Sequence, residues 1–406
     1  MAKSKRQLPS PKYFFSLVEW NGPAFNRRKL HMKRALTVKD IAEVARKSVP
    51  KVVFDYVDGA AFEEISIARS KETFSRVEFN PFVLRDSSKI DTSTEIFGKK
   101  VDLPIIFAPT GYTRFMHHTG EPAVAEVAEA KNMVYCLSTM GTTSPKELGD
   151  AVPGVRRWFQ LYLMKNREDS LGVIKQAKDS GFEALILTVD TAVSGIRLKD
   201  VRNGLTIPPK IRFGTILAIA RKPRWWMNLL TTAPLEFAAF RGWTKSLSEL
   251  ASVIFDSSVT FEDVKWLRSV WDGPIIVKGV QRVEDARMLV EIGIQAIVLS
   301  NHGGRQLDRG TVPLEILEEI VGAVGSKVDV YIDGGVLTGQ DVYAAIGLGA
   351  KGVLIGRAYL YGVMADGGRG VDKVIEILRS ELVNTMALTG TRNVSEIRAA
   401  GVRIRP

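Results

Sequence analysis

The 406-residue sequence contains a single cysteine, four histidines and no long apolar run. Cys136 cannot form a disulfide within the chain, and its apolar neighbours predict a buried free thiol in a reducing compartment. No apolar stretch approaches the ~20 residues that a membrane-spanning helix needs. Residues 1–12 are polar and basic, with no apolar segment of the kind found in a secretory signal behind them. These absences predict a protein that is made and kept in the cytoplasm.

The net charge of +11 is concentrated in two segments. Residues 1–39 contain ten Lys or Arg and one Glu, and residues 208–245 contain seven Lys or Arg and one Glu. The rest of the chain therefore carries a small net negative charge. The basic character belongs to these two segments and not to the body of the fold.

Residues 1–36 are predicted to form a basic N-terminal arm that lies over the surface or is partly disordered. Pro9, Pro11 and Pro23 are expected to break up any helix there. The main domain is predicted over residues 37–400. It should begin with Thr37 as the N-cap of an amphipathic helix, followed by a second helix that contains Tyr56.

From residue 101 onward, short branched-apolar runs alternate with helix-like segments, and each run predicts a buried strand. The runs cover residues 103–108, 133–137, 158–163, 184–189, 274–277, 296–299, 330–332 and 352–355. Eight strands alternating with helices is the number found in a closed (β/α)8 TIM barrel. The alternative, a doubly wound open sheet, requires a G-x-G-x-x-G turn after its first strand, and residues 109–112 do not form one.

Only the gap after the fourth run is long, so residues 191–273 are predicted to be an insertion. It contains Trp225 and Trp226, flanked by Arg and Lys and followed by Met and Leu. Over residues 208–245 this composition favours a membrane interface, where indole rings lie at the headgroups and cations meet anionic lipid. A lid with a few buried aromatic residues would explain the same sequence. Nucleic acid is disfavoured, because no groove-reading or base-stacking module is present.

Nearly all of the predicted strands end in polar or charged residues, and the active residues of such barrels gather at the carboxyl ends of strands. In chain order the ends are residues 109–111, 138–140, 160–162, 188–190, 278–279, 300–308, 333–335 and 356–357. His302 can take a proton, and Arg305 can clamp a carboxylate. This pair favours a reaction on an acid that carries a hydroxyl on the neighbouring carbon. The glycine-rich turns after the last two strands suit a phosphate.

The sequence resembles the FMN-dependent L-2-hydroxy acid dehydrogenase and oxidase family over residues 37–400. The motifs are S-N-H-G-G-R-Q-L-D at 300–308, F-Q-L-Y at 159–162, T-V-D at 188–190, V-K-G at 277–279, D-G-G at 333–335 and I-G-R at 355–357. The arm and the K-P-R-W-W segment are most similar to the quinone-linked L-lactate dehydrogenases of actinobacterial type. The resemblance implies FMN as cofactor, no metal, a small L-2-hydroxy acid as substrate and a homotetramer.

The resemblance also implies a role for each site residue. His302 would take a proton from the substrate, and Asp190 would pair with the imidazolium. Lys278 would lie beside the flavin edge where negative charge develops. The residues implied to contact the substrate are Tyr56, Arg197, Arg305, Tyr162, Gly111 and Met140. Those implied to hold FMN are Pro109, Thr110, Gly111, Ser138, Gln160, Thr188, Lys278 and Ser300 at the ring, and Asp333, Gly334, Gly335, Gly356 and Arg357 at the ribityl phosphate.

The sequence departs from the family pattern at two places. Many relatives carry an Arg two residues after D-G-G, where this chain has Leu337, so Arg357 is expected to hold more of the phosphate alone. Met140 stands where glycolate oxidases have Trp, and Gly111 stands in place of Ala. These changes predict a pocket for side chains larger than that of glycolate, although Met140 also suits simple core packing.

Together these features predict an enzyme that oxidises L-lactate to pyruvate and passes electrons to a membrane quinone. It would be cytoplasmic and peripheral on the inner face of the cell membrane. One alternative is an oxidase that uses O2 and releases hydrogen peroxide, and another is a dehydrogenase of a larger acid such as mandelate. A third is an inactive barrel that binds lipid or a partner, which the presence of His302, Arg305 and Lys278 disfavours.

Overall fold

The computed structural model describes residues 10–17, 27–205, 213–241 and 254–406, and its centre is a closed barrel of eight parallel strands. The strands are β1 Ile105–Thr110, β2 Val134–Ser138, β3 Arg156–Leu161, β4 Ala184–Thr188, β5 Ile275–Val280, β6 Ala296–Leu299, β7 Asp329–Asp333 and β8 Gly352–Ile355. Each strand pairs with the next, and β8 returns to β1 through Val353 opposite Ile105. The predicted (β/α)8 barrel is confirmed, and the open sheet is excluded.

The strands form because both of their faces are buried. One face fills the barrel interior, where the Trp158 and Tyr331 rings meet edge to face. The other face packs under the surrounding helices. Cys136 lies inside the barrel, fully buried and free, as the sequence predicted.

Helices follow the strands and cover the barrel. Their bounds are Gly120–Ala130, Pro145–Ala151, Arg167–Asp179, Phe261–Val270, Val283–Ile292, Leu317–Val324, Gly339–Gly347 and Arg357–Thr389. Ser144 and Thr338 begin two of them with capping boxes, in which side chain and backbone donors are satisfied reciprocally. The last helix breaks at Asp366 and Gly367, both of which have non-helical backbone angles.

The chain before the barrel agrees with the prediction in one part and differs in another. Thr37 caps the helix Val38–Ser48 and Lys51–Asp58 follows it, as predicted. The prediction that prolines break up any helix in the arm was wrong, because Pro11–Leu17 and Arg27–Arg34 are helical. Pro11 is the first residue of its helix, where the missing N–H is not needed. Pro9 and Pro23 lie outside the described residues.

The second arm helix is attached to the barrel. The Arg28 guanidinium donates hydrogen bonds to the carbonyl oxygen of Ala365 and to Asp366, whose Oδ1 is 3.0 Å away. At the other end of the chain, Arg403–Ile404 pairs with Val77–Glu78, so the ordered fold continues past residue 400.

The segment after β4 contains the helices Leu198–Asn203, Phe213–Ala220 and Pro223–Leu230 and a short turn at Ala238–Phe240. Phe261–Val270 is the barrel helix before β5, so the added segment ends before residue 261. Residues 208–212 and 242–245 of the predicted membrane segment lie outside the described residues. None of the helices in the described ranges combines the length and apolar composition needed to cross a membrane.

Candidate active site

The loop after β6 places His302 against Asp190, which follows β4. Nδ1 of His302 lies 3.0 Å from Oδ1 of Asp190, and the backbone N–H of His302 donates to Oγ of Ser300. His302 has a φ of +57°, and the two following glycines also have positive φ, so the loop turns sharply at the strand end. Among the described residues, Nε2 of His302 has no hydrogen-bond partner. The carboxylate therefore orients the ring and leaves one nitrogen available.

Asp190 is suited to stabilise positive charge on that ring. Burial raises the pKa of Asp190, but the charges of His302 and Lys278 and the hydrogen bond from His302 outweigh it and hold the pKa below its ordinary value. The carboxylate is therefore ionised at neutral pH. When His302 accepts a proton, the imidazolium forms next to a fixed negative charge.

The carboxyl ends of the eight strands surround an opening that we call the barrel mouth. Lys278, in β5, is a buried cation there. Its side chain is 5% exposed, and Nζ lies 2.9 Å from Oγ of Ser300 and 3.1 Å from Oδ2 of Asp333. Burial lowers the pKa of Lys278, but Asp333 and Asp190 more than offset this and raise the pKa above its ordinary value. The mouth therefore contains a permanent positive charge.

Several buried polar atoms in the mouth lack hydrogen-bond partners within the described part of the chain. They are Nε2 of Gln160, Oγ1 of Thr188, Oδ2 of Asp190 and Oδ1 of Asp333. Oε1 of Gln160 accepts from Ser138 and from the backbone of Thr139, so Nε2 remains free to donate. Buried polar groups are nearly always satisfied in folded proteins. Their grouping around Lys278 indicates a polar ligand at this place.

The backbone around the mouth can approach a ligand closely. Gly334 and Gly335, after β7, have φ of +86° and +92°, and a β-carbon on Gly335 would lie 2.9 Å from the Phe74 ring. Gly356 lies directly before the helix Arg357–Thr389, whose first N–H groups have no partner within the helix. The side-chain hydroxyl of Thr110 is hydrogen-bonded to the Tyr359 hydroxyl. Residues 109–111 can therefore contact a ligand through their backbone groups.

Arg357 joins two loops. Its Nε, Nη1 and Nη2 donate to the backbone oxygens of Val57, Gly303 and Gly59, at 3.0, 2.8 and 2.9 Å. A guanidinium carries five N–H groups, so two remain for a ligand. Arg357 thus holds the His302 loop in place, and its two remaining N–H groups can bind a ligand.

Two further guanidinium groups lie close together beside His302. Arg305 donates to the carbonyl oxygen of Gly59 at 3.1 Å and lies 5.0 Å over the Tyr56 ring, and Arg197 pairs with Asp200 at 2.7 Å. Burial and the repulsion from Arg197 lower the pKa of Arg305 to about 10, so it remains charged at neutral pH. Two neighbouring, partly buried guanidinium groups that repel each other form a site for an anion such as a carboxylate.

Tyr162 contributes a neutral hydrogen-bond donor, its phenol O–H, to the same site as Arg305 and Arg197. Burial and the nearby Asp190 carboxylate raise the pKa of its phenol, which therefore keeps its proton. Its ring packs edge to face on Phe255, with ring centroids 5.6 Å apart.

Gly111 and Met140 approach each other closely. A β-carbon on Gly111 would lie 2.8 Å from Cβ of Met140 and 3.2 Å from its carbonyl oxygen, so a larger residue at position 111 would require a shift. The effect of these two residues on the size of the substrate pocket stays a prediction.

Sequence reasoning missed three residues that hold the site together. Gln306 accepts from the backbone of Gly195 at 2.8 Å and donates to the carbonyl oxygen of Val193 at 3.1 Å, which attaches the start of the insertion to the His302 loop. Asp308 accepts from the backbone of Ser66, and Asp200 pairs with Arg197. Gln306 and Asp308 belong to the 300–308 motif, and Asp200 lies three residues after Arg197. Their positions in the sequence could therefore have identified all three as site residues.

Comparison with known proteins agrees with this geometry. The family model described as FMN-dependent dehydrogenase matches residues 45–404. A Mycobacterium tuberculosis protein provisionally named as an L-lactate dehydrogenase is 42% identical over 97% of this chain and 95% of its own. Human 2-hydroxyacid oxidase 1 is 37% identical over 92% of this chain and 98% of its own.

A solved structure of (S)-mandelate dehydrogenase, described as a monotopic membrane protein, has a TM-score of 0.88 and 33% identity, covering 91% of this chain and all of its own. The fit of the mouth to a polar ligand, together with these matches, confirms the resemblance seen in the sequence. The chain belongs to the FMN-dependent dehydrogenase family of 2-hydroxy acid dehydrogenases and oxidases, and its cofactor is FMN.

Proposed function

We propose that the protein oxidises L-lactate to pyruvate and passes the electrons to a membrane quinone. The observation that carries the proposal is that the oriented imidazole of His302 lies beside the guanidinium groups of Arg305 and Arg197, at the edge of the barrel mouth that contains Lys278. When bound, FMN would supply the two-electron redox chemistry. The acid loses one hydrogen from its α-carbon and one from its hydroxyl, and one of the two leaves as a proton to His302. The similarity to the lactate-named M. tuberculosis protein supports the choice of lactate.

The chain's own residues bind the acid and move its proton. Arg305 and Arg197 hold the carboxylate, and planar guanidinium groups can do so with paired hydrogen bonds. The phenol of Tyr56 donates to the same carboxylate. Tyr162 keeps its proton and donates to the hydroxyl oxygen. His302 takes a proton at Nε2, and Asp190, on the other side of the ring, stabilises the resulting charge.

The residues around Lys278 are proposed to hold the flavin ring. Nε2 of Gln160 and Oγ1 of Thr188 are free to meet polar ring atoms, alongside Ser138, Ser300 and the backbone of residues 109–111. Lys278 lies where it can stabilise negative charge on the ring.

The assignment of Asp333 to the phosphate is revised. A carboxylate only accepts hydrogen bonds and repels a phosphate, and Asp333 is already paired with Lys278. We therefore assign its free Oδ1 to a ribityl hydroxyl. The phosphate is left to the backbone N–H groups at Gly334, Gly335 and Gly356 and to the remaining N–H groups of Arg357.

The substrate is tested by mixing the yellow enzyme with L-lactate, D-lactate, glycolate or (S)-mandelate without oxygen. L-lactate should bleach the flavin fastest, in line with the similarity to the lactate-named M. tuberculosis protein. The reduced enzyme should then be reoxidised faster by a soluble quinone analogue than by air. Flavin absorbance in a stopped-flow instrument measures both steps.

Two results would redirect the proposal. Hydrogen peroxide formed in air in step with substrate consumption would establish the oxidase. Faster bleaching by (S)-mandelate would favour the larger acid, a second candidate supported by the mandelate dehydrogenase structure. No bleaching by any of the four acids would exclude both candidates.

We further propose that the protein is cytoplasmic, peripheral on the inner face of the membrane, and a homotetramer as the resemblance implies. The support for membrane contact is a group of exposed apolar side chains on the helices Phe213–Ala220 and Pro223–Leu230. They are Ile216, Leu217, Met227 and Leu230. Trp225 anchors the second helix by donating to the carbonyl oxygen of Phe115 at 3.0 Å. The (S)-mandelate dehydrogenase described as a monotopic membrane protein supports this placement.

Replacing Met227 and Leu230 by serine should weaken binding to lipid vesicles by roughly tenfold per residue, because each side chain would lose its burial in lipid. Met288 and Leu388 provide a matched control pair, since they are exposed to a similar degree, at 44% and 70% against 52% and 75%. Their serine variants should bind vesicles like the wild type. Equal loss in both pairs would exclude this face as the membrane contact.

A further inference from the structure

A basic cleft of about 630 Å³ lies between the N-terminal arm and the insertion. Its walls are the helices Arg27–Arg34 and Val38–Ser48 and residues 221–224, which comprise the turn between the two exposed helices of the insertion and the start of the second helix. Its cationic side chains are Arg28, Arg34, Lys47, Arg221, Lys222 and Arg224. The two basic segments of the sequence therefore contribute to one cavity, although they are far apart in the chain.

Most of this positive charge has no acidic partner. Arg28 pairs with Asp366, but Arg34, Lys47, Arg221 and Arg224 form no ion pair within the described part of the chain. Lys222 donates only to the backbone oxygen of Lys47, at 2.5 Å. Like charges held together in a half-enclosed space are unfavourable unless an anion joins them.

The two acidic residues of the cleft do not neutralise it. Asp40 accepts hydrogen bonds from the backbone of Leu36 and Thr37, each at 3.0 Å, as part of a helix cap. Glu43 is paired with Arg46 at 2.6 Å. Both carboxylates are thus occupied, and the cleft keeps an excess of free donors.

The charges also affect one another. Burial lowers the pKa of the Arg28 guanidinium, Asp366 opposes this, and Arg224 lowers it further. Burial likewise lowers the pKa of Lys222. These two cations are therefore partly withdrawn from water, in a cavity that both the arm and residues 221–224 line.

The cleft opens next to the exposed apolar side chains that are proposed to contact the membrane. Residues 221–224 lie between Leu217 and Met227, which the two helices of the insertion expose. A ligand that fits both features has an anionic head and an apolar body. Guanidinium groups match phosphate oxygens with paired hydrogen bonds.

We propose that the basic cleft binds the phosphate headgroup of an anionic phospholipid while the adjacent apolar side chains enter the acyl layer. This inference rests on the proposed membrane attachment, and it adds the class of lipid and the part that the N-terminal arm plays. The arm closes the cleft from the side opposite the insertion, so both basic segments are needed for the site.

The test compares two triple variants. Arg34→Gln, Arg221→Gln and Arg224→Gln together remove three cations from the cleft. Lys146→Gln, Lys175→Gln and Lys265→Gln remove three cations from elsewhere on the surface, where each forms an exposed pair with a nearby acid. Binding of the FMN enzyme is measured on vesicles of phosphatidylcholine alone and of phosphatidylcholine mixed with phosphatidylglycerol.

The wild type should prefer the vesicles that contain phosphatidylglycerol. The cleft variant should lose about a hundredfold in binding to them, at roughly fivefold per cation, while the control triple retains most of its binding. Both variants should be reduced by L-lactate like the wild type, because none of the six residues lies in the barrel mouth.

Three results would overturn the inference. Equal loss in both triples would show that net charge, and not the cleft, attracts the membrane. Equal binding of the wild type to both kinds of vesicle would leave membrane attachment standing but remove the headgroup site. Stabilisation of the wild type against heat by inorganic phosphate, with no preference for anionic vesicles, would assign the cleft to a free phosphate compound. Failure of L-lactate to bleach the flavin would refute the proposed substrate and leave these binding results unaffected.

Discussion

Replacement of His302 by alanine is expected to abolish reduction of the flavin by L-lactate while leaving FMN bound. The imidazole lies beside Arg305 and Arg197, which are proposed to bind the carboxylate. Its Nε2 is free to take a proton, and its Nδ1 is fixed 3.0 Å from Asp190. A general base typically contributes about 10²- to 10⁴-fold to a rate, so the anaerobic rate of bleaching should fall by at least this factor. The flavin content of the purified variant is read from its visible spectrum.

Two further variants separate proton transfer from general damage. Asp190→Asn keeps a side chain of the same shape but removes the charge, so it should slow bleaching less than the loss of the ring. His118→Ala removes a histidine that contacts His117 and lines a different cleft with Asp366 and Arg369, so its rate should be unchanged. Added imidazole should restore part of the rate in His302→Ala and leave the rate of His118→Ala as it was. Bleaching of His302→Ala at the wild-type rate would show that another group takes the proton.

The barrel could be predicted because its signal is repeated. Eight apolar runs with similar spacing leave few other folds, and each run was found within a few residues of its strand. The position of the mouth followed from the same pattern, since the carboxyl ends of parallel strands share one end of a barrel. The pairing of His302 with Asp190 was implied by the resemblance, and the structure brings these two residues together.

Other features depend on contacts between distant parts of the chain, which the sequence does not display. The sequence shows that Gly111 replaces a larger residue, but only the structure shows that Met140, at the next strand end, lies 2.8 Å from the position of its missing β-carbon. Asp333 was assigned to the phosphate from its motif, yet its neighbour in space is Lys278, on another strand. The basic cleft is of the same kind, because nothing in the two charged segments indicates that they meet.

Replacement of Lys278 by methionine should have the second large effect, on stability as well as on FMN. Methionine is similar in length but uncharged, so Asp333 would be left buried without its cation. Removing one partner of a buried ion pair costs about 3–5 kcal/mol, and the free energy of unfolding should fall by roughly this amount. FMN should also be bound less tightly, since the ammonium no longer faces the ring. Chemical denaturation of the FMN-free protein and flavin titration measure the two effects.

The pH dependence and a double variant identify the cause. The pKa of Lys278 is raised in the folded protein, so its contribution to stability is full below its ordinary pKa and is lost as the pH rises through the raised value. The difference in unfolding free energy between the wild type and Lys278→Met should therefore be full at neutral pH and shrink in alkaline solution. Lys278→Met combined with Asp333→Asn contains no unpaired charge at this position, so it should regain much of the unfolding free energy but not the affinity for FMN. If the double variant were as unstable as the single one, packing of the lysine stem and not its charge would hold the barrel mouth together. If both variants kept the wild-type affinity for FMN, the cation would have no part in binding the ring.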